Sequence, residues 1–263
     1  MRKRLIAAGL ATIVAAATLT ASASGQADLV QDGNLLVSFD GAISPKALPR
    51  AQTAPVAVKV ETAIRATDGS DPPPQLRSIT IGINRQGKIF DRGLPTCRVR
   101  EIQPTTIAAA RRICGGAIVG NGNVGVRVHL PNQPPFTFKG PLLVFNAERA
   151  GGKRQLLAQV YGTRPPSAFV LRFTIDRRKG TFGTQIRTVL PQAARRWAYL
   201  THFQMRLKRT YTFRGKRHSY VNAACAAPAG FPGAVYPFAR ANFEFAGGRR
   251  IDSTLLRDCK VRP

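Results

Sequence analysis

Hydrophobic and polar positions alternate with a period of two along most of this chain, the pattern of half-buried strands. The clearest run starts at Trp197. Trp197, Tyr199, Thr201, Phe203, Met205, Leu207, Tyr211 and Phe213 share one phase, and His202, Gln204, Arg206, Lys208, Thr210 and Thr212 fill the other. This predicts one long strand, or two joined by a bulge, with a core face and a basic solvent face. Residues 214–217 read as its turn, after which Val221, Ala223 and Cys225 share a face. Beyond the Gly247-Gly248 break, Ile251, Ser253, Leu255 and Cys259 do the same. Earlier strands are expected at 35–39, 56–65, 77–84, 117–120, 124–130, 136–146, 155–161, 169–175 and 181–189, with Pro and Gly clusters between them.

A single short helix is expected over 105–113, because Pro104 precedes it, Ala108 to Ala110 favour it and Gly115-Gly116 end it. Short strands with turn signals and little helix predict a mainly β fold, antiparallel and sandwich-like, with one short helix and two disulfides. Residues 24–50 have the poorest pattern and read as a leader. Residues 51–263 read as the β-sandwich-like region, either one domain or two divided at the proline-rich stretches near 131–135 or 164–167.

The first residues change the picture from fold to compartment. Arg2-Lys3-Arg4, an uncharged apolar run from Leu5 to Leu19 and Ala21-Ser22-Ala23 form the three parts of a signal peptide, residues 1–23. The apolar run is shorter than the roughly 20 residues a membrane span requires, and no comparable stretch follows, so the mature chain is expected to have no transmembrane segment. In an exported chain the four cysteines read as two disulfides. Proximity pairs Cys97 with Cys114 and Cys225 with Cys259, and the shared apolar faces of Cys225 and Cys259 agree. Zinc is the competing use, but there is no C-x-x-C pair and no histidine near a cysteine in sequence.

Charge adds one further expectation. The chain carries 40 Lys and Arg against 13 Asp and Glu, a formal net charge of +27. From Arg177 to Asn242 there is no acid at all. Such a segment attracts anionic polymers such as cell-wall material or nucleic acid, nonspecifically and in a salt-dependent way. Arg206, Lys208, Lys216 and Arg217 are the candidate contacts, since alternation and the turn expose them. An Arg-rich composition without any ligand is the competing account of the same charge.

Catalytic and cofactor motifs are weak. Gly120 to Gly125 matches G-x-G-x-x-G, but an alternating strand follows where a dinucleotide site needs a helix, and Asn121-Gly122 reads as a hairpin turn. No G-x-S-x-G occurs, and His129, His202 and His218 are scattered. No cofactor or metal site is expected. One carboxylate pair remains. If residues 247–249 form a three-residue loop, Phe245 opposes Ile251, Phe243 opposes Ser253 and Glu244 opposes Asp252, near the separation of a retaining glycosidase pair.

Gly93-Leu94-Pro95-Thr96-Cys97, the run from Cys114 to Gly120, Tyr220 to Cys225 and the 243–259 hairpin also carry a resemblance. From about Leu94 onward the chain resembles a group of uncharacterised secreted β-rich proteins of actinobacteria with two Cys pairs and no established activity. That resemblance implies export, two bridges and β structure, and no site residues. The sequence therefore reads as an exported non-catalytic protein that adheres to anionic envelope or extracellular polymers. A secreted hydrolase using Glu244 and Asp252 and a purely structural envelope protein are the alternatives.

Overall fold

A computed structural model describes residues 26–69, 72–163 and 166–262. The expected signal peptide lies outside them. The chain opens with β1 (Asp28–Asp32), β2 (Leu35–Ser44), β3 (Ala47–Leu48) and β4 (Ala54–Pro55), then β5 (Ala57–Ala66), β6 (Leu76–Ile83) and β7 (Gly87–Ile89). Helices α1 (Val99–Ile102) and α2 (Ile107–Cys114) follow. Next come the hairpins of β8 (Ile118–Val128), β9 (Phe136–Ala150), β10 (Lys153–Thr163), β11 (Pro166–Arg177) and β12 (Thr184–Val189). Helix α3 (Gln192–Trp197) leads into β13 (Ala198–Leu207), β14 (Thr210–Phe213), β15 (Lys216–Ser219), β16 (Val221–Ala223), β17 (Gly233–Phe245) and β18 (Arg250–Val261).

The fold is mainly β and antiparallel. A single 13-stranded sheet runs in the order β1-β2-β5-β13-β8-β9-β10-β11-β12-β6-β17-β18-β3, with one parallel pairing, β18 with β3. It curls until β18 approaches β1 and β2, so one sheet supplies both layers around the core. Phe39, Phe243, Phe245, Leu142, Val144, Leu156 and Met205 fill the interior. Alternation follows directly, since a curled sheet buries one face and wets the other. A three-stranded sheet, β4-β16-β7, covers one end.

β9 and β10 depart from alternation because both of their faces are covered. Leu142-Leu143-Val144-Phe145 and Leu156-Leu157-Ala158 are buried throughout. Their outward members pack under α1 and α2 in a second, smaller core with Ile102, Ala110 and Cys114. Gln159 is fully buried there, and its amide donates to the carbonyls of Ile102 and Thr105 at 2.8 Å each. Thr106 caps α2, its hydroxyl accepting the Ala109 N–H. Both expected disulfides form, Cys97–Cys114 and Cys225–Cys259.

The structure differs from the sequence expectations at several points. The strand expected at 35–39 extends to Ser44 in β2, and most of the described part of the 24–50 leader is strand, with Leu35, Val37 and Phe39 buried in the main core. Gly41 interrupts the apolar phase of β2 between Phe39 and Ile43. Its place in β2 follows from packing, since a Cβ on it would lie 2.8 Å from the Phe238 ring. At the proline-rich stretches, residues 131–135 connect the paired β8 and β9, and β10 pairs with β11 as far as Thr163 and Pro166. Asn121-Gly122 is not a turn, because β8 runs straight through it. A Cβ on Gly122 would lie 1.9 Å from the Gln204 carbonyl and one on Gly120 2.3 Å from that of Arg206, so these glycines let β13 approach. Finally, the phase of β13 switches at a bulge between Leu200 and His202, which buries Leu200 rather than Tyr199, and Trp197 belongs to α3.

Candidate functional site

The register brings five chain segments to the end of the sheet that β4-β16-β7 covers. Ala150 pairs with Lys153, Arg177 with Thr184, and Thr184 in turn with Ile83. The β9–β10 turn is Gly151-Gly152, with φ of 56° and 74°. Two successive left-handed residues make a tight hairpin turn, which only glycine adopts at no steric cost. The β11–β12 loop turns at Gly180, φ 92°. Between these turns and the segment after β6 lies an open cleft of about 1010 Å³.

Eight bases line the cleft: Arg85, Lys88, Arg149, Lys153, Arg154, Arg177, Arg178 and Lys179. Asp176 is the one acid among the lining residues. Part of the charge is held in place from within. Asp91 takes Arg149 at 3.2 Å and Arg154 at 3.3 Å, and Arg154 also donates to the Ile89 carbonyl at 3.0 Å. Lys153 sits 3.3 Å from Asp176, and Arg178 Nε donates to Gln185 at 2.6 Å. Among the described residues no carboxylate is in ion-pair range of Arg85, Lys88, Arg177 or Lys179, all of them exposed. The cleft therefore has a strong positive potential that the protein itself leaves unbalanced.

Lys153, Asp176 and Arg178 also line a groove of about 790 Å³ that leaves the cleft over the outer face of β11, β12, β6, β17 and β18. Thr174, Gln185, Arg187, Thr80, Arg240, Asn242, Glu244 and Asp252 line it, together with Phe182. The expected pairing of Glu244 with Asp252 is corrected here. Phe243 opposes Ile251, so Glu244 opposes Arg250 and Asp252 opposes Asn242. The three-residue turn is Ala246–Gly248, one position earlier than expected and closed by the Phe245 N–H on the Arg249 carbonyl, so the register moves by two residues and keeps every apolar face inside. Glu244 accepts the Ser78 hydroxyl at 2.6 Å and lies 3.7 Å from Arg250 and 3.9 Å from Arg187. Asp252 accepts from Asn242 at 3.2 Å and lies 3.5 Å from Arg240.

The four bases expected from sequence lie outside the cleft lining, all exposed. Arg206 is on the outer face of β13 between Lys59 of β5 and Asn121 of β8. Nearby, Lys59 at 2.6 Å and His202 at 3.0 Å hold the Glu61 carboxyl below the usual carboxylate range, the lysine contributing most. Lys208 leads into the β14–β15 hairpin that carries Lys216 and Arg217. This hairpin rests on the cleft's own support. Tyr211 donates to the carbonyls of Phe90 and Arg92, and His218 stacks on Phe90 at 4.8 Å, next to Asp91. Sequence reasoning missed Arg85, Lys88, Arg149, Lys153 and Arg154, which come from mixed-charge segments far apart in the chain. Their one legible signal is that Arg149, Lys153 and Arg154 flank a Gly-Gly turn. Cys97, Glu101 and Cys114 also lie together, but both sulfurs are consumed in the disulfide and no metal ligand set remains there. Among the described residues no helix is long and apolar enough to cross a membrane.

The chain matches no protein-family model, no curated protein and no solved structure.

Proposed function

We propose that this is an exported, non-catalytic protein that holds an anionic polymer at the basic cleft. The observation that carries the reading is the imbalance within the cleft, where Arg85, Lys88, Arg177 and Lys179 stand exposed with no carboxylate partner among the described residues. Its basic hairpin neighbour, with Lys208, Lys216 and Arg217, extends the same field. Export is supported by the basic and apolar N-terminal pattern and by two disulfides, the bonds of an oxidising compartment. The hydrolase reading is weaker, because Glu244 and Asp252 do not face one another and each has an arginine partner.

Fluorescence anisotropy with labelled inorganic polyphosphate tests the proposal. Affinity falls steeply as salt rises, each phosphate contact adding about 0.7 to the slope of log affinity against log salt. Replacing Lys88, Arg177 and Lys179 with Gln lowers that slope by about 2 and leaves thermal stability nearly unchanged. A parallel variant with Gln at Arg206, Lys208, Lys216 and Arg217 shows whether the hairpin shares the ligand. A purely structural envelope protein binds no polyphosphate even at low salt, and that result overturns the reading.

A further inference from the structure

The groove that continues from the cleft has a different chemistry. Inside the cleft cations are in excess. Along the groove all but Arg178 are matched: Lys153 with Asp176, Arg187 with Glu244, Arg240 with Asp252. Between these pairs stand Thr80, Thr174, Gln185 and Asn242, half-buried side chains that both donate and accept hydrogen bonds. Phe182 lies over Gly82, where a Cβ would be 3.1 Å from the Phe182 Cβ, so the missing side chain seats this aromatic on the sheet. It is half-exposed in an otherwise polar groove. From β11 to β18 the groove crosses four inter-strand steps of about 4.8 Å, or about 19 Å.

A polymer charged at every unit suits the cleft but meets the carboxylates Asp176, Glu244 and Asp252 along the groove. A neutral polymer suits the groove and gains nothing from the cleft. Hydroxyl-rich rings bearing sparse acidic groups satisfy both, since paired ions and amides exchange hydrogen bonds with hydroxyls and an aromatic face covers a ring's C–H surface. We infer that cleft and groove form one track for an anionic glycan, its acidic groups in the cleft and its neutral rings along the groove over Phe182. This rests on the proposed reading of the cleft as an anion site.

The test compares four probes by titration: hyaluronan oligosaccharides, which carry a carboxylate on alternate rings, inorganic polyphosphate, single-stranded DNA and neutral dextran. Hyaluronan binds and dextran binds much more weakly. Phe182→Ala weakens hyaluronan about tenfold, as loss of an aromatic anchor does, and changes polyphosphate less than about twofold. The double variant Thr80→Val, Thr174→Val, on strand positions that tolerate valine, weakens hyaluronan by about fivefold or more and spares polyphosphate. If polyphosphate fails to bind, the anion site itself falls. If polyphosphate binds but hyaluronan does not, or both groove variants leave it unchanged, only the glycan inference falls. DNA binding that depends on Phe182 and exceeds hyaluronan binding also overturns it, in favour of a single-stranded nucleic acid.

Discussion

Arg257 of β18 reaches across to Asp40 of β2, and its Nε donates to the Gly41 carbonyl at 2.6 Å. The two strands form no ladder here, so a buried arginine closes the curled sheet in place of backbone hydrogen bonds. Arg257 sits in the run Ile251, Ser253, Leu255, Cys259 whose side chains face the core. A methionine there fills similar space but leaves the Gly41 carbonyl without its donor. Arg257→Met therefore costs about 3 kcal/mol in urea unfolding, near the cost of breaking a buried pair. Asp40→Asn costs about 1 kcal/mol, because Asp40 is partly wet and the carbonyl contact survives.

The two disulfides contribute unequally. Cys225 and Cys259 belong to the main core and span 34 residues, whereas Cys97 and Cys114 span 17 and pin the helices over β9 and β10. The chain-entropy account assigns them about 4 and about 3 kcal/mol. Replacing Cys225 and Cys259 with Ala lowers Tm by about 10 °C or more. The corresponding change at Cys97 and Cys114 has a smaller effect on global unfolding, but it exposes the amides of 99–114 to hydrogen exchange.

Gly122→Ala tests the close approach of β8 and β13. An alanine Cβ would lie 1.9 Å from the Gln204 carbonyl, so the strands must part. The expected loss is about 3 kcal/mol, at the upper end of overpacking costs. Asn121→Thr, on the same strand but at an exposed position, changes thermal stability by less than about 0.5 kcal/mol.

Stability also depends on pH through Glu61. Its folded-state pKa is lowered, first by Lys59 and then by His202. A depressed carboxylate pKa stabilises the fold above the unfolded value, and the contribution is lost as pH falls through the folded value. Glu61→Gln therefore unfolds at slightly lower urea concentration than the parent at pH 7, and the difference shrinks as pH falls below the unfolded carboxylate value. The effect is small because the pair is partly exposed and screened by solvent.

Much of the architecture was legible as alternation. The mainly antiparallel β character, most of the longer strands and both cysteine pairs follow from a period-two pattern and from spacing, because burying one face of a strand leaves a local trace in sequence. The misses have one cause. The β8 glycines, the bulge in β13, Gly41 of β2 and the register beyond Phe243 answer to atoms brought close from elsewhere in the chain: the Gln204 carbonyl, the Phe238 ring, and Arg250 beside Glu244. Net basicity was legible too, but not its seat. Sequence alone established a β-rich, disulfide-linked and strongly basic chain, since propensity, periodicity and charge are properties of neighbours along the backbone. Only the tertiary structure decided that Arg85, Lys88, Arg149, Arg154 and Arg177 share one cleft, because strand pairing at the covered end of the sheet brings together cations that lie far apart in the chain.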